Sequence, residues 1–127
     1  MNILEKLLET DIEKISKREG KKVEMKRLTT LLGEPFVVEC RQLNSEQFEH
    51  ISEISKTNAD IRENVVLECC TIEKKKINCK ELLDKFQVVT GRDVLHKLFL
   101  IGEISALYDS VTKLSGYNND TVAEIKN

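Results

Sequence analysis

At several places in this 127-residue chain a short polar residue is followed, three positions later, by Gln, Glu or Asp, and four of these pairs stand out beside apolar residues at helical spacing. The pairs are Asn44/Gln47, Asn78/Glu81, Thr90/Asp93 and Thr121/Glu124. Each has the pattern of a capping box, in which side chains satisfy the N–H groups that a helix leaves unpaired in its first turn. Only two short stretches alternate in the manner of a half-buried strand: Val23/Met25, and Phe36/Val38/Cys40. The balance predicts a predominantly α-helical α+β fold, with about six helices packed on one short antiparallel two-stranded element near the N-terminal third. A two-stranded pair is marginal alone, so it must lie against helices.

Along the chain, residues 1–18 read as one amphipathic helix. Leu4, Leu8, Ile12 and Ile15 repeat at helical spacing, and Ile3 and Leu7 widen the stripe. Residues 22–43 read as strand, short helix, strand, with Gly33 and Pro35 stopping the helix. Residues 44–127 read as helical. Residues 65–72 are ambiguous, because Val65, Val66, Thr71 and Ile72 are β-branched; the absence of alternation over 59–64 favours helix, with Asn58 as its cap. Phe36, Val38, Phe48, Ile51, Leu82, Phe86, Leu95, Leu107, Val111 and Leu114 are the expected core.

The ending "LSGYNND" is closely punctuated. Gly116 suits the left-handed position after a helix, and Tyr117 would then fold back on Val111. Asn119 or Asp120 would cap a last short helix carrying Val122 and Ile125, docked on the domain.

One domain of residues 1–127 is expected, since the chain is short for two. Its net charge is −2 and its pI about 5.8, without the basic excess that phosphate neutralisation demands of a nucleic-acid module. The start "MNILEKLLETDIEK" has acidic residues where a secretory segment needs an apolar core, so a cytoplasmic location is expected and no membrane partner. Cys40, Cys69, Cys70 and Cys79 form no Cys-x-x-Cys pair and read as free thiols in a reducing compartment. His50 and His96 stand alone in the sequence. No metal site, cofactor or catalytic residue is expected: the glycines are isolated rather than gathered into a phosphate loop, and no Gly-x-Ser-x-Gly elbow occurs.

Two non-enzymatic readings remain. One is a small helical DNA-binding or regulatory protein, with residues 79–86 and 91–99 as a helix-turn-helix. Its second helix, however, offers only Arg92 and Lys97 as basic residues. The other is a protein-binding module, with Leu4, Leu8, Ile12 and Ile15 as the candidate partner-binding residues; the same stripe would equally serve to pack on the core.

The stretches "KRLTTLLGEPFVVECRQLNSEQFEHI", "KELLDKFQVVTGRDVLHKLFLIGEISALYDSVTKLSGY" and "VAEIKN", in that order, resemble the XkdN-like family of phage tail assembly chaperones. The stretch "TIEKKKINCKELL" lacks the proline that members often carry there. The resemblance implies a non-enzymatic, cytoplasmic role in the bacterial host, with the tape-measure protein and the tail-tube protein as partners. It also implies that the protein is absent from the mature tail or only transient in it, and that a frameshifted longer form of the chain can accompany the short one. A prophage regulator is the alternative within the same setting.

Overall fold

A computed structural model describes residues 2–117 and 121–125. The described residues hold eight helices and one four-stranded antiparallel sheet, two strands and two helices more than expected. The strands are β1 (Gly20–Glu24), β2 (Val37–Arg41), β3 (Cys70–Ile72) and β4 (Lys75–Lys76), paired in sequence order. The helices are α1 (Ile3–Glu9), α2 (Ile12–Ile15), α3 (Lys26–Leu32), α4 (Ser45–Ile54), α5 (Asn58–Cys69), α6 (Lys80–Phe86), α7 (Gly91–Leu98) and α8 (Ile101–Leu114).

The expected strand pair is β1 and β2, in register from Gly20↔Arg41 to Glu24↔Val37. Alternation sets its two faces. Val38 and Cys40 are fully buried on one face, whereas Val37 and Arg41 are exposed on the other. The α5 and α8 helices pack against each other, and both pack on the sheet. Val65, Val66 and Cys69 come from α5 and Ile104, Leu107 and Val111 from α8. The sheet is thus covered on one side and solvated on the other, as antiparallel sheets often are.

The first of the two further strands comes from the ambiguous segment, and the second follows it after a tight turn. Residues 65–69 are helical as expected, but Cys70–Ile72 form β3, pairing Cys40↔Cys70 and Glu39↔Thr71. The β-branched pair Thr71/Ile72 follows its strand preference because the edge of β2 is open beside it. The chain then reverses through Glu73 and Lys74, with φ of 50° and 66°, between the paired residues Ile72 and Lys75. Two consecutive positive φ values mark a primed hairpin turn. Neither residue is Gly, Asn or Asp, so the turn carries no sequence signal.

The capping pairs fared unequally. Asn44/Gln47 closes both hydrogen bonds of its box, at 2.8 and 3.1 Å, and Thr90 accepts from the Asp93 N–H. For α5 the cap is Thr57 with Asp60, one residue before the expected Asn58. Asn78/Glu81 makes no box: Cys79 precedes the helix without a side-chain cap, and Glu81 pairs with Lys75 instead. Over residues 1–18 the expected single helix is two. Thr10 and Asp11 break it, both being residues whose side chains compete for backbone hydrogen bonds; Thr10 Oγ1 donates to the Lys6 carbonyl. Neither α1 nor α2 buries a residue.

At the other end, α8 closes as the sequence implies. Gly116 has φ of 98°. The Tyr117 N–H donates to the Thr112 carbonyl at 3.0 Å and the Gly116 N–H to the Lys113 carbonyl at 3.2 Å, the two bonds of a Schellman motif. The docked terminal helix, however, is not found. Residues 122–125 are non-helical, Tyr117 is exposed, and Val122 and Ile125 are more than four-fifths exposed. The expected caps Asn119 and Asp120 lie outside the described residues.

Arg27 ties α3 to the α7–α8 junction. It donates to the Leu98 carbonyl and to Glu103, both at 2.8 Å, and Glu103 also accepts the Leu100 N–H at 2.7 Å. Burial pushes the Glu103 carboxyl up, but the Arg27 hydrogen bond, the Leu100 N–H and the guanidinium charge outweigh it and hold its pKa below the ordinary value. A carboxylate depressed in the folded state stabilises above its unfolded pKa, about 4.3, and that share is lost as pH falls through the folded value. The melting temperature should therefore drop in this acid window, and Glu103→Gln should flatten the drop; a variant profile parallel to wild type would exclude this origin. Lys74→Gly should raise stability by about 1 kcal/mol, read from the denaturant midpoint, because glycine accepts the left-handed conformation without the Cβ conflict.

Candidate partner-binding surface

Residues 2–18 form an arm. Arg18 clips it to the body, donating through Nε to the Gln42 carbonyl at 2.9 Å and through Nη2 to that carbonyl and to Gln47 Oε1. The Glu19 N–H donates to Gln42 Oε1 at 2.9 Å. Upstream of this clip the apolar side chains are bare: Ile3 is 81 % exposed, Leu4 60 %, Leu8 76 %, Ile12 79 % and Ile15 54 %. The structure thus answers whether the stripe packs on the core: it does not. Leu4 and Leu8 share α1 at i, i+4, while Ile12 and Ile15 lie on α2, so the break divides the candidate residues into two short apolar faces. Glu9, Asp11 and Glu13 have no ion pair among the described residues.

A groove opens on the body beside that clip. It is about 420 Å³ and is lined by Leu43, Phe48, Asn58, Ile61, Arg62, Val65, Tyr108, Thr112 and Tyr117. Three helices make most of it: α4 gives Phe48, α5 gives Asn58, Ile61, Arg62 and Val65, and α8 gives Tyr108 and Thr112. Phe48 and Leu43 flank the Asn44 cap as a hydrophobic staple would, but Phe48 is 43 % exposed and forms a groove wall rather than core. The Leu43 N–H donates to Ser115 Oγ at 2.8 Å, which holds the groove floor to the end of α8. Arg62 stands on the rim with no ion pair among the described residues. Sequence reasoning missed the groove as a unit because its residues lie far apart in sequence. Its one local signal was the pair of tyrosines, residues with an apolar body and a polar tip.

The remaining polar clusters are structural. Glu63, buried on α5, accepts from Arg92 at 2.6 Å and from His96 Nε2. Arg92 also pairs with Asp60 at 2.8 Å, whose pKa is lowered chiefly by the Lys56 N–H hydrogen bond. These bonds join α5 to α7. They also engage Arg92, and Lys97 donates to the Phe86 carbonyl, so neither basic residue of the supposed recognition helix is a free phosphate donor. Cys40, Cys69 and Cys70 are buried thiols; burial pushes Cys69 up to about 11, away from thiolate chemistry. No group of three or more His, Cys, Asp or Glu is placed to hold a metal ion among the described residues, and none of their helices is long and apolar enough to cross a membrane.

What this geometry offers is contact surface, a bare apolar arm and an apolar groove, on a small α+β body. The family model described as phage XkdN-like tail assembly chaperone protein, TAC, matches residues 4–126, and the chain belongs to that family. No curated protein and no solved structure matches it.

The groove wall and the core should respond differently to truncation. Leu107, 1 % exposed, should lose about 2–5 kcal/mol on mutation to Ala. Phe48→Ser should lose clearly less in the same denaturant titration. Equal losses would return Phe48 to the core.

Proposed function

We propose that this protein is a non-enzymatic tail assembly chaperone that binds the tape-measure protein and helps recruit tail-tube subunits in the host cytoplasm, leaving before the tail is complete. Membership of the family supports a role in phage tail assembly; the exposed arm carries the finer reading. A tape-measure protein is long, helical and apolar-striped, and such a stripe needs covering until tube subunits enclose it. Short amphipathic helices cover apolar stripes through side chains at i, i+3 and i+4. Leu4 and Leu8 on α1, with Ile12 and Ile15 on α2, are the residues assigned to this contact. The rival regulator reading has no observation in its favour, since Arg92 and Lys97 are engaged within the protein.

Co-expression with the tape-measure protein of the same phage or prophage should yield a stable complex on affinity purification. Leu4→Asp with Leu8→Asp should reduce the co-purified partner at least tenfold while leaving the fold intact by circular dichroism, because neither residue is buried in its own chain. Retention of the partner by this variant would remove the arm from the interface. Salt-sensitive binding to duplex DNA, with no tape-measure capture, would favour the regulator instead.

A further inference from the structure

We infer that the groove lined by Leu43, Phe48, Ile61, Val65, Tyr108 and Tyr117 receives the α1 helix of a second copy of this chain, so that the free protein is a dimer with exchanged arms. The two surfaces are matched in chemistry. The apolar side chains of α1, Ile3, Leu4, Leu7 and Leu8, are all more than half exposed, and they span a single helical turn or two, about 7.5 Å along the axis. The groove is apolar on its walls and about 420 Å³ in volume, room for a small cluster of such side chains. Charge is complementary as well: Arg62 is the charged residue lining the groove and has no ion pair among the described residues, while residues 2–15 of the arm carry Glu5, Glu9, Asp11 and Glu13 against Lys6 and Lys14, a net negative balance.

The connection favours exchange. Arg18 fastens the arm at Gln42 and Gln47, the immediate neighbours of the groove residues Leu43 and Phe48. The tether therefore leaves the body at the groove's edge, and residues 10–17 lie between α1 and the clip. Even so, α1 buries nothing in its own chain. In two copies facing groove to groove, each arm has only to cross to the opposite edge. Exchange of an identical element is an economical route to a two-fold dimer. The seven residues of α1 and the nine groove residues make a small interface per copy, below the roughly 20–30 residues a side of a standard stable interface, so the dimer forms at high protein concentration and dissociates on dilution.

Exchange uses the stripe that the tape-measure reading also assigns, so the dimer is a stored form from which a tail partner releases the arm. The test uses the pure full-length chain with no tail partner, and its failure leaves the tape-measure reading standing. Sedimentation equilibrium over a wide concentration range should give twice the 14.6 kDa chain mass at high micromolar protein. Leu4→Asp/Leu8→Asp, with its groove intact, and Phe48→Asp, with its arm intact, should each be monomeric. Mixed, they should form a heterodimer through the one remaining arm-in-groove contact. If Phe48→Asp does not fold by circular dichroism, Arg62→Glu takes its place. A monomeric wild type overturns the inference, as does a mixture that stays monomeric. A groove variant that remains dimeric while the arm variant does not would show arms pairing with each other, and also overturns it.

Discussion

Everything in the body depends on covering one face of β2. That strand is central, paired with β1 on one side and β3 on the other, and its inward residues Val38 and Cys40 are fully buried. A sheet this small cannot hide its own apolar face. The helix α5 meets the requirement twice. Its side chains Val65, Val66 and Cys69 cover the sheet, and then, with no intervening loop, the chain becomes the next strand of that sheet at Cys70. Cys40 and Cys70 face each other across the pair with sulfurs 3.7 Å apart. Small, polarizable side chains suit that junction, because a helix end and two strands converge there and little volume remains.

Charged groups hold the elements around this core at their borders. Arg18 fixes the arm to the turn after β2, Arg27 fixes α3 to the start of α8, and Arg92 fixes α7 to α5. Each guanidinium reaches more than one acceptor, which uses its planar fork of donors and restricts orientation as well as distance. The most buried acceptor is Glu63, and it has two partners, as a carboxylate removed from water requires. The three bridges thus set where helices enter and leave the core, while apolar burial supplies the cohesion.

Much of this was legible in the sequence. The Asn44/Gln47 box, the Thr90 cap and the Gly116 stop act locally, through bonds spanning three to five residues, so their patterns survive without tertiary information; the β1–β2 pair joins residues further apart but announces itself by alternation. Ile51, Leu95, Leu107 and Val111 are buried as their spacing implies. What was not legible depends on distant neighbours. Cys70–Ile72 is a strand because β2 leaves an edge beside it, and Glu73–Lys74 turns without the residues that normally announce such a turn. Asn78 lost its capping role when Glu81 met Lys75 across the β4–α6 connection. Phe48 looked like core because its helical face was right; its neighbours on α5 and α8 stop short of covering it. The candidate residues Leu4, Leu8, Ile12 and Ile15 were legible as an apolar stripe, but not their fate, since a stripe looks the same whether its own body or another molecule covers it.

The arm and the body therefore obey different rules. In the body, most large apolar side chains on the inward helical faces are buried or half-buried, although Leu31, Leu32, Ile54 and Ile101 are more than half exposed. In the arm none is buried, and the local devices, the Asn2 cap on the Glu5 N–H and the Thr10 and Ser16 hydroxyls on carbonyls four residues back, hold helical turns without a tertiary contact. Helices of seven and four residues are too short to persist in water on local bonds alone. Their order must be completed by whatever covers them. In the proposed role, binding and folding of the arm are one event, and part of the interaction free energy goes to ordering it. The result is an attachment that covers a long apolar surface yet lets go, which suits a factor acting during assembly. The clip at Arg18 limits such ordering to the residues upstream of it, so on the proposed reading the arm changes partners while the sheet and its covering helices stay as they are.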